Sequence, residues 1–451
     1  MLCAPMSRFF ADQRGAGTIM GLLWFMLLVG ITGMAVDVTN GFRSRTMLQA
    51  TADAAALAGA IDLPDQAAAV ATAVAYSDGN MPTAMYGDVL QPGDVEIGSW
   101  DMATRSFTEG GLVVNVLDPD GPLVPDAVRV ILHQTEANAN AVPMSFLRII
   151  GLQTWDVNVQ AVAQRFIPEC LKDGLVARVV VGMSSNNDFV NEICLHGQQG
   201  VEMQNNNSYQ PDVTVSMPDP DNQLVIPAVG MTSNPGLPEA LRENILDPRM
   251  VNHVDEILLA LLDAASPIVP GYIDTGEPVI VVDDKYEFDT YFQGRIYEVR
   301  CDPNNQVSVP ANTSLSNVVI ISECNISVGA NASLSNVVLG STALGNGARP
   351  LDSSNINFSA DVDLGVADDC APGGGVQIFS SASVHFSSSM TINGVQVVAA
   401  GDVDLGARGQ GINGISVQAG GDITLTSNNM FGLCSGGAPN LFTVPYYRLV
   451  R

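Results

Sequence analysis

From Ala16 to Val36 the chain reads AGTIMGLLWFMLLVGITGMAV, 21 residues without a charged side chain. A helix needs about 20 apolar residues to cross a hydrocarbon core. Hydrocarbon offers no water to a free backbone amide, so such a run is usable only as a helix that satisfies its own amides. The run therefore predicts a transmembrane helix over 16–36. A cleaved signal peptide would have an apolar region of about 7–15 residues before a small-residue cut site. Gly33 and Ala35 would serve as that site, but the run is too long, so the segment reads as an uncleaved signal anchor. Arg8 and Arg14 precede it and Arg43 and Arg45 follow Asp37; the positive-inside rule is nearly silent on a span flanked so evenly.

The chain as a whole is acidic and poor in charge. Its formal net charge is -28, with 15% charged and 6% aromatic residues and with 43 glycines and 25 prolines. No basic patch is available to displace counterions from a phosphate backbone, which argues against a nucleic-acid partner. At 451 residues the chain exceeds one ordinary core, and its small-residue composition favours β-rich architecture. Of seven cysteines, Cys3 precedes the apolar run, and Cys170, Cys194, Cys301, Cys324, Cys370 and Cys434 follow it. An even set on one side of a membrane suits disulfides in an oxidising compartment, with Cys3 left as a thiol on the reducing side. Among the connectivities six cysteines allow, sequential pairing closes two short loops and is the expected one. Buried free thiols are the alternative. A zinc site is not expected, because there is no CxxC and His133, His196, His253 and His385 are scattered.

Beyond the span, LQATADAAALAGAIDL, residues 48–63, places Ala52, Ala55, Ala56, Gly59 and Ala60 at i, i+3, i+4, i+7 and i+8. That spacing makes one bare helical stripe. Gly17 and Gly21 add a GxxxG within the span. Small residues let two helix backbones approach closely, so Gly17, Gly21, Ala52, Ala55, Ala56 and Gly59 are the candidate helix-packing residues. The stripe faces either another subunit or the helix's own domain.

The whole of Phe10–Ala60 resembles the N-terminal domain of TadG-like Flp pilus assembly proteins. The resemblance rests on Arg14-Gly15, the apolar span, the Val36-Asp37 exit and the ending from Gln49 through Ala60. It implies an inner-membrane anchor with a cytoplasmic N-terminus and its bulk in the periplasm. It further implies association with assembly or function of a tight-adherence (Flp, type IVb) pilus, with pilus assembly membrane proteins or pilin-like subunits as partners. Two departures bound what carries over. Related pilins are cut after a Gly that has Glu five residues on, whereas Met20 follows Gly15 and Leu22 follows Gly17 at that spacing, so prepilin-type processing is not expected. Some larger members carry a DxSxS metal site, and this chain has no DxSxS.

The expected organisation has four parts: an anchor with its small-residue helix over 1–63, a small α+β domain over 64–168, a mixed β segment over 169–300 and a β-solenoid over 301–451. In the second part DVEIGSW, TRSFTEGGLVVNVL, AVRVILHQTEA and WDVNVQAVAQRF alternate as strands do. Between the last two, VPMSFLRIIG reads as an apolar turn packed in the core, with lipid contact as the alternative. In the third, residues 236–263 show helical spacing and predict two helices broken near Pro248. In the fourth, NTSLSNVVI from Asn312 recurs as NASLSNVVL from Asn331. Such self-similarity predicts stacked rungs of a parallel β-helix; a β-sandwich is the alternative. Looser rungs follow to about residue 432, and an earlier one is expected near Val201–Ser216. The sequons at Asn312, Asn325, Asn331 and Asn357 read as rung turns.

Candidate chemistry is sparse. ADVDLG and GDVDLG hold two Asp-x-Asp pairs, Asp361 with Asp363 and Asp402 with Asp404, and Arg408 lies near the second. Residues i and i+2 of a strand share a face, which would suit acid–base work or calcium. The plainer reading is a repeated rung in which Asp ends a turn. GxSxG and phosphate-loop motifs are missing from the sequence. The expectation is thus a structural or interaction protein, not an enzyme, with no cofactor and no metal. The alternatives are a β-helix polysaccharide-active enzyme and a glycan-binding surface adhesin.

Overall fold

The apolar run is the first half of one uninterrupted helix. In the computed structural model, which describes residues 16–115, 122–301, 305–342, 354–371, 373–406, 411–434 and 442–450, α1 spans Ala16–Ile61. Its 46 residues extend roughly 70 Å at about 1.5 Å per residue. No proline lies within it, and it ends shortly before Pro64. Its two halves differ in surroundings. Large side chains from Ile19 to Val36 are exposed, whereas Leu48, Ala52, Ala55, Ala56 and Ala60 are fully buried.

The chain forms two units, Met1–Phe166 with Pro445–Arg451, and Ile167–Val444. In the first, α2 (Gln66–Asn80) is capped by Asp65, whose carboxylate accepts the Ala68 N–H at 3.0 Å. The strands are β1 (Val95–Asp101), β2 (Ser106–Glu109), β3 (Ala127–Gln134), β4 (Val142–Pro143), β5 (Thr154–Trp155) and β6 (Val157–Phe166). An antiparallel sheet runs β2-β1-β3-β6 and is completed by the strand Tyr446–Leu449. Val128, Val130 and Leu132 alternate along β3 and share one core with the small stripe of α1. The stripe has to be bare because the neighbours are so close. A Cβ on Gly59 would lie 2.9 Å from the Ala69 carbonyl oxygen and 3.4 Å from Val128 Cγ1.

The second unit contains two parallel sheets of 15 and 9 described strands, and the chain alternates between them. Gly174–Ala177, Cys194–Gly197 and Thr214–Met217 lie side by side in one sheet, so Leu175, Leu195 and Val215 are neighbours. Val180–Met183 and Gly200–Met203 do the same in the other. Paired residues lie 20 positions apart here and 19 apart in the two sequence repeats, which come strand against strand, Leu315 beside Leu334 and Val318 beside Val337. Ser333 Oγ donates to Ser314 Oγ at 2.8 Å, and Asn336 Nδ2 to Asn317 Oδ1 at 2.9 Å. Asn312, Asn317, Asn331 and Asn336 all have left-handed φ, between 52° and 61°, a region Asn tolerates better than most residues. Asn312 and Asn331 are therefore turn residues, but Asn325 and Asn357 stand in strands Asn325–Val328 and Ser354–Phe358.

The order of strands in these sheets is not the order of the chain. Ile412–Ala419 pairs with Gly174–Ala177, placing Val417 beside Leu175, while Ile423 pairs with Val181 and Phe431 with Phe189. The chain thus enters near the middle, builds outward to Leu241–Glu243, resumes at the opposite end with Ile280–Asp283, and builds back to meet its own first turn. Two ladders run through that meeting point. Phe431, Phe189 and Tyr209 stack at centroid spacings of 5.2 Å. Each of Asn429, Asn187 and Asn207 donates its backbone N–H to the side-chain oxygen of the next Asn, the last acceptor being Asn234, at 3.1, 3.0 and 2.8 Å.

Residues 236–263 depart from the expected pair of helices. Leu237–Ala240 is a single turn, after which Leu241–Glu243 pairs with Val215–Met217; the free edge of a parallel sheet supplies unpaired backbone groups that outweigh helical periodicity. Only Val254–Leu261 forms a longer helix, α3. Its Leu258 is fully buried in a cluster with Val319, Ile321, Val338, Phe379 and Val398. This layer covers the outer face of the parallel sheet, which is why strands such as Val376–Ser380 are buried on both faces.

Among the described residues, Leu48–Leu63 and Ala69–Ala163 share one core, strands on both sides of residue 300 lie in the same two sheets, and Tyr446–Leu449 pairs back onto β6 of the first unit. The parallel pairing also removes the β-sandwich, which is built from antiparallel sheets.

Asn207→Ala leaves the buried Asn187 backbone N–H and one Nδ2 proton without their acceptor. Equilibrium unfolding should show a loss of about 1–3 kcal/mol per orphaned group. Leu258→Ala should cost about 2–5 kcal/mol by opening a cavity under the outer layer, read the same way.

Candidate functional site

The best-defined polar constellation in the first unit lies where α1 leaves its apolar run. Asp37 is 2% exposed. Its carboxylate accepts backbone N–H bonds from Ser145 at 2.9 Å, Phe146 at 2.7 Å and Leu147 at 2.6 Å. These are the free amides at the start of the 3-10 turn Leu147–Ile150, which a carboxylate is suited to satisfy. Burial opposes ionisation of Asp37, but the bonds from Leu147, Ser145 and Phe146, with the nearby Arg148 charge, outweigh it and hold its pKa below the ordinary 3.8.

Glycines one turn to either side complete the joint. A Cβ on Gly33 would come within 2.5 Å of the Phe146 ring, and one on Gly41 within 2.5 Å of the Trp155 ring. Gly33, Asp37 and Gly41 recur every four residues and so share one face of α1. The segment they hold is only in part the core turn expected from VPMSFLRIIG. Val142 and Met144 are buried in the core and Leu147 packs against it, but the tip turns outward, with Ile149 81% exposed and Ile150 69%, where the three bonds to Asp37 hold the backbone.

The expected helix-packing residues separate into three groups. Ala52, Ala55, Ala56 and Gly59 face their own sheet and α2, so the stripe is not available to another subunit. Gly21 has nothing within 4 Å of a built Cβ. The surroundings of Gly17 lie outside the described residues, as do Cys3 and Arg408.

The six cysteines after α1 pair in chain order, Cys170–Cys194, Cys301–Cys324 and Cys370–Cys434, across separations of 24, 23 and 64 residues. Closing loops of these lengths removes roughly 3–5 kcal/mol of denatured-chain entropy each. The third bond ties the loop before Val376–Ser380 to the turn that closes the stack on itself.

The two DVDLG stretches are not equivalent rungs. Asp363 stands in the larger parallel sheet beside Thr391, whereas Asp404 stands in the smaller one beside His385 and Thr424. Asp402 Oδ1 accepts the Asp422 N–H at 2.8 Å and Asp422 Oδ1 the Val180 N–H at 2.9 Å, so these acids close turns between successive strands. Asp361 is a left-handed turn residue, φ 59°. His385 Nδ1 lies 3.6 Å from Asp404. His196 is fully buried between Ser216 Oγ, 2.8 Å, and Gln198 Oε1, 3.0 Å, and burial holds its pKa below 6.5, so it is a neutral part of the core. Among the described residues no three of His, Cys, Asp and Glu come together in a metal-binding group.

A long apolar helix clamped to an antiparallel hairpin at its exit, followed by parallel strands, defines a protein with one candidate membrane span among the described residues and a large β-rich body. Residues 15–62 match the TadE/G-like Flp pilus-assembly family and residues 49–163 the Tad-like Flp pilus-assembly family. Residues 174–435 match the family described as domain of unknown function (DUF7867), more than half of the chain, and the chain belongs to that family. No curated protein matches it. Asp37, whose carboxylate makes the joint, was visible in the sequence only as the Val-Asp exit of the apolar run; its partners, more than 100 residues away, carried no signal.

Because the Asp37 pKa is depressed, the clamp's contribution is fully present above the ordinary carboxylate range and is lost as pH falls through the lowered value. Amide-exchange protection at Ser145–Leu147 should hold at neutral pH and fall away in acid below about pH 4. Asp37→Ala should abolish that protection at every pH.

Proposed function

We propose that this chain is an inner-membrane protein with a cytoplasmic N-terminus and its bulk in the periplasm, and that it serves assembly or function of a Flp/Tad pilus in a structural, non-catalytic role. The observation that carries the proposal is the coincidence of the two Tad matches with one structural unit, the α1 rod and the sheet packed on it. Three disulfides, all beyond the apolar run, favour the oxidising side of the membrane. We read the second unit as a parallel β-solenoid: two parallel sheets, a repeat of 19–20 residues, and Asn, Ser and aromatic ladders between successive turns support that reading. Such a body offers long polar edges to pilus membrane proteins, to pilin-like subunits or to envelope glycans. The non-catalytic reading draws support from the acids of the Asp-x-Asp pairs, which stand on different sheets or close turns.

Since the small stripe is occupied internally, a partner has to meet another face of α1. A photo-crosslinking residue at the exposed Ala50 position in intact cells should capture a pilus-platform membrane protein or a pilin-like subunit, identified by mass spectrometry, and deletion of the chain should reduce surface pili. Capture of only itself, together with normal piliation, would overturn the proposal. Turnover of a polysaccharide by the full chain that is lost in Asp402→Asn would instead establish the enzymatic alternative.

A further inference from the structure

Phe146, Ile149, Ile150 and Leu152 fall within seven residues, and all are exposed, at 41%, 81%, 69% and 55%. They occupy the tip of a hairpin whose strands are β4 and β5, closed by the Met144 N–H donating to the Gln153 carbonyl at 2.9 Å. The tip itself is the 3-10 turn Leu147–Ile150, ended by Gly151 at φ 97°. A mobile loop with such residues would collapse onto the nearest apolar surface. This one is held out, because Asp37 takes three consecutive N–H groups and Gly33 and Gly41 receive Phe146 and Trp155.

The depth of the attachment is set by α1. Gly33 lies inside the apolar run, three residues before its end at Val36, and Gly41 lies four residues past Asp37. At about 1.5 Å per residue, the contact covers roughly 12 Å of helix and straddles the point where the charge-free stretch stops. The residues around it have the chemistry of a lipid interface. Trp155 and the 58% exposed Phe42 meet edge to face at 6.2 Å, as aromatic side chains at headgroup level do. Arg148 stands exposed among the apolar side chains, and Arg43 and Arg45 are exposed on α1 just beyond; long cationic side chains reach from apolar surroundings to phosphate headgroups. A soluble partner has no access to the level of Gly33 if the run before it is in hydrocarbon.

We propose that Phe146–Leu152, with Phe42 and Trp155, forms a collar that inserts into the headgroup-to-acyl boundary of the leaflet from which α1 emerges. The proposal rests on the reading of α1 as a membrane anchor. The collar gives the anchor a second point of contact. A lone helix tilts and rotates freely in a bilayer, whereas a helix carrying a rigid apolar hairpin on one face has a fixed depth and a fixed rotation. The sheet packed on the far half of α1 then stands in a set orientation to the membrane plane.

The test uses the full chain reconstituted in vesicles of phosphatidylcholine and phosphatidylglycerol brominated at upper or at lower acyl carbons. The chain has three tryptophans, Trp24, Trp100 and Trp155, and Trp100, only 6% exposed within the first unit, serves as the unquenched background. In a Trp24→Phe, Trp155→Phe chain, the indole introduced by Ile149→Trp should be quenched by the upper-acyl bromines and distinctly less by the lower ones. The exposure of Ile149 keeps this substitution from disturbing packing. A second chain, Trp155→Phe with Trp24 retained, reports the anchor by quenching with the lower-acyl bromines. Quenching at Trp24 but none at the Ile149→Trp indole in either lipid would overturn the collar and leave the anchor standing. Loss of both signals would overturn both.

Discussion

One carboxylate at the end of the apolar run organises the first unit. A chain leaving hydrocarbon passes from a region where every backbone amide has to be satisfied internally to one where water competes for it. Asp37 sits where the charge-free run ends, buried, and takes the three amides of Ser145–Leu147 that the following 3-10 turn leaves free. The bond count explains why the carboxylate stays ionised despite burial. It also explains why the helix can continue unbroken for another 24 residues to Ile61, since the sheet and its hairpin are hung on the rod rather than joined through a hinge. Gly33, Gly41 and Gly59 mark the three levels at which a neighbour touches α1 too closely for a Cβ.

In the second unit the governing constraint is the sheet edge. A parallel stack exposes unpaired N–H and C=O groups at each end, and a chain that simply wound from first turn to last would leave its own termini there. Here the unit's first strand, Gly174–Ala177, lies within the larger sheet rather than at its end, paired with Ile412–Ala419. The two ends of the stack are made instead by the short strand Leu241–Glu243 and by Ile280–Asp283, and the segment between them crosses the outer face with α3 over Val319, Val338 and Phe379. The Asn and aromatic ladders pass through the meeting point without a break, and the Cys370–Cys434 bond fastens the last turn. Cutting the chain near either end of this unit therefore disturbs its centre.

Much of the local architecture was legible before any coordinates. The alternation in AVRVILHQTEA and WDVNVQAVAQRF specified strands with one buried face, since a period of two admits little else, and they pair as β3 and β6. The 19-residue repeat lies in register because identical side chains at identical positions stack best on themselves. The failures have a common cause. Residues 236–243 have helical spacing, but a waiting sheet edge took three of them as a strand. The two DVDLG stretches look alike, but a repeat defined by five residues does not say which sheet each enters. VPMSFLRIIG is apolar enough for a core, and what turned it outward is a carboxylate far away in sequence.

The sequence by itself determined that a charge-free run long enough to span a bilayer begins near residue 16, that a bare helical stripe follows it, that six cysteines share one side, and that the C-terminal half repeats. Each of these depends on composition or on spacing within a few turns of chain. The tertiary structure alone decided that the stripe closes against β3 and α2, that Asp37 reaches Ser145–Leu147, and that the last turn of the stack meets the first. The second and third of those pairings join residues more than 100 positions apart, where no local period connects the partners and only the summed burial and hydrogen bonding of the folded chain selects one arrangement.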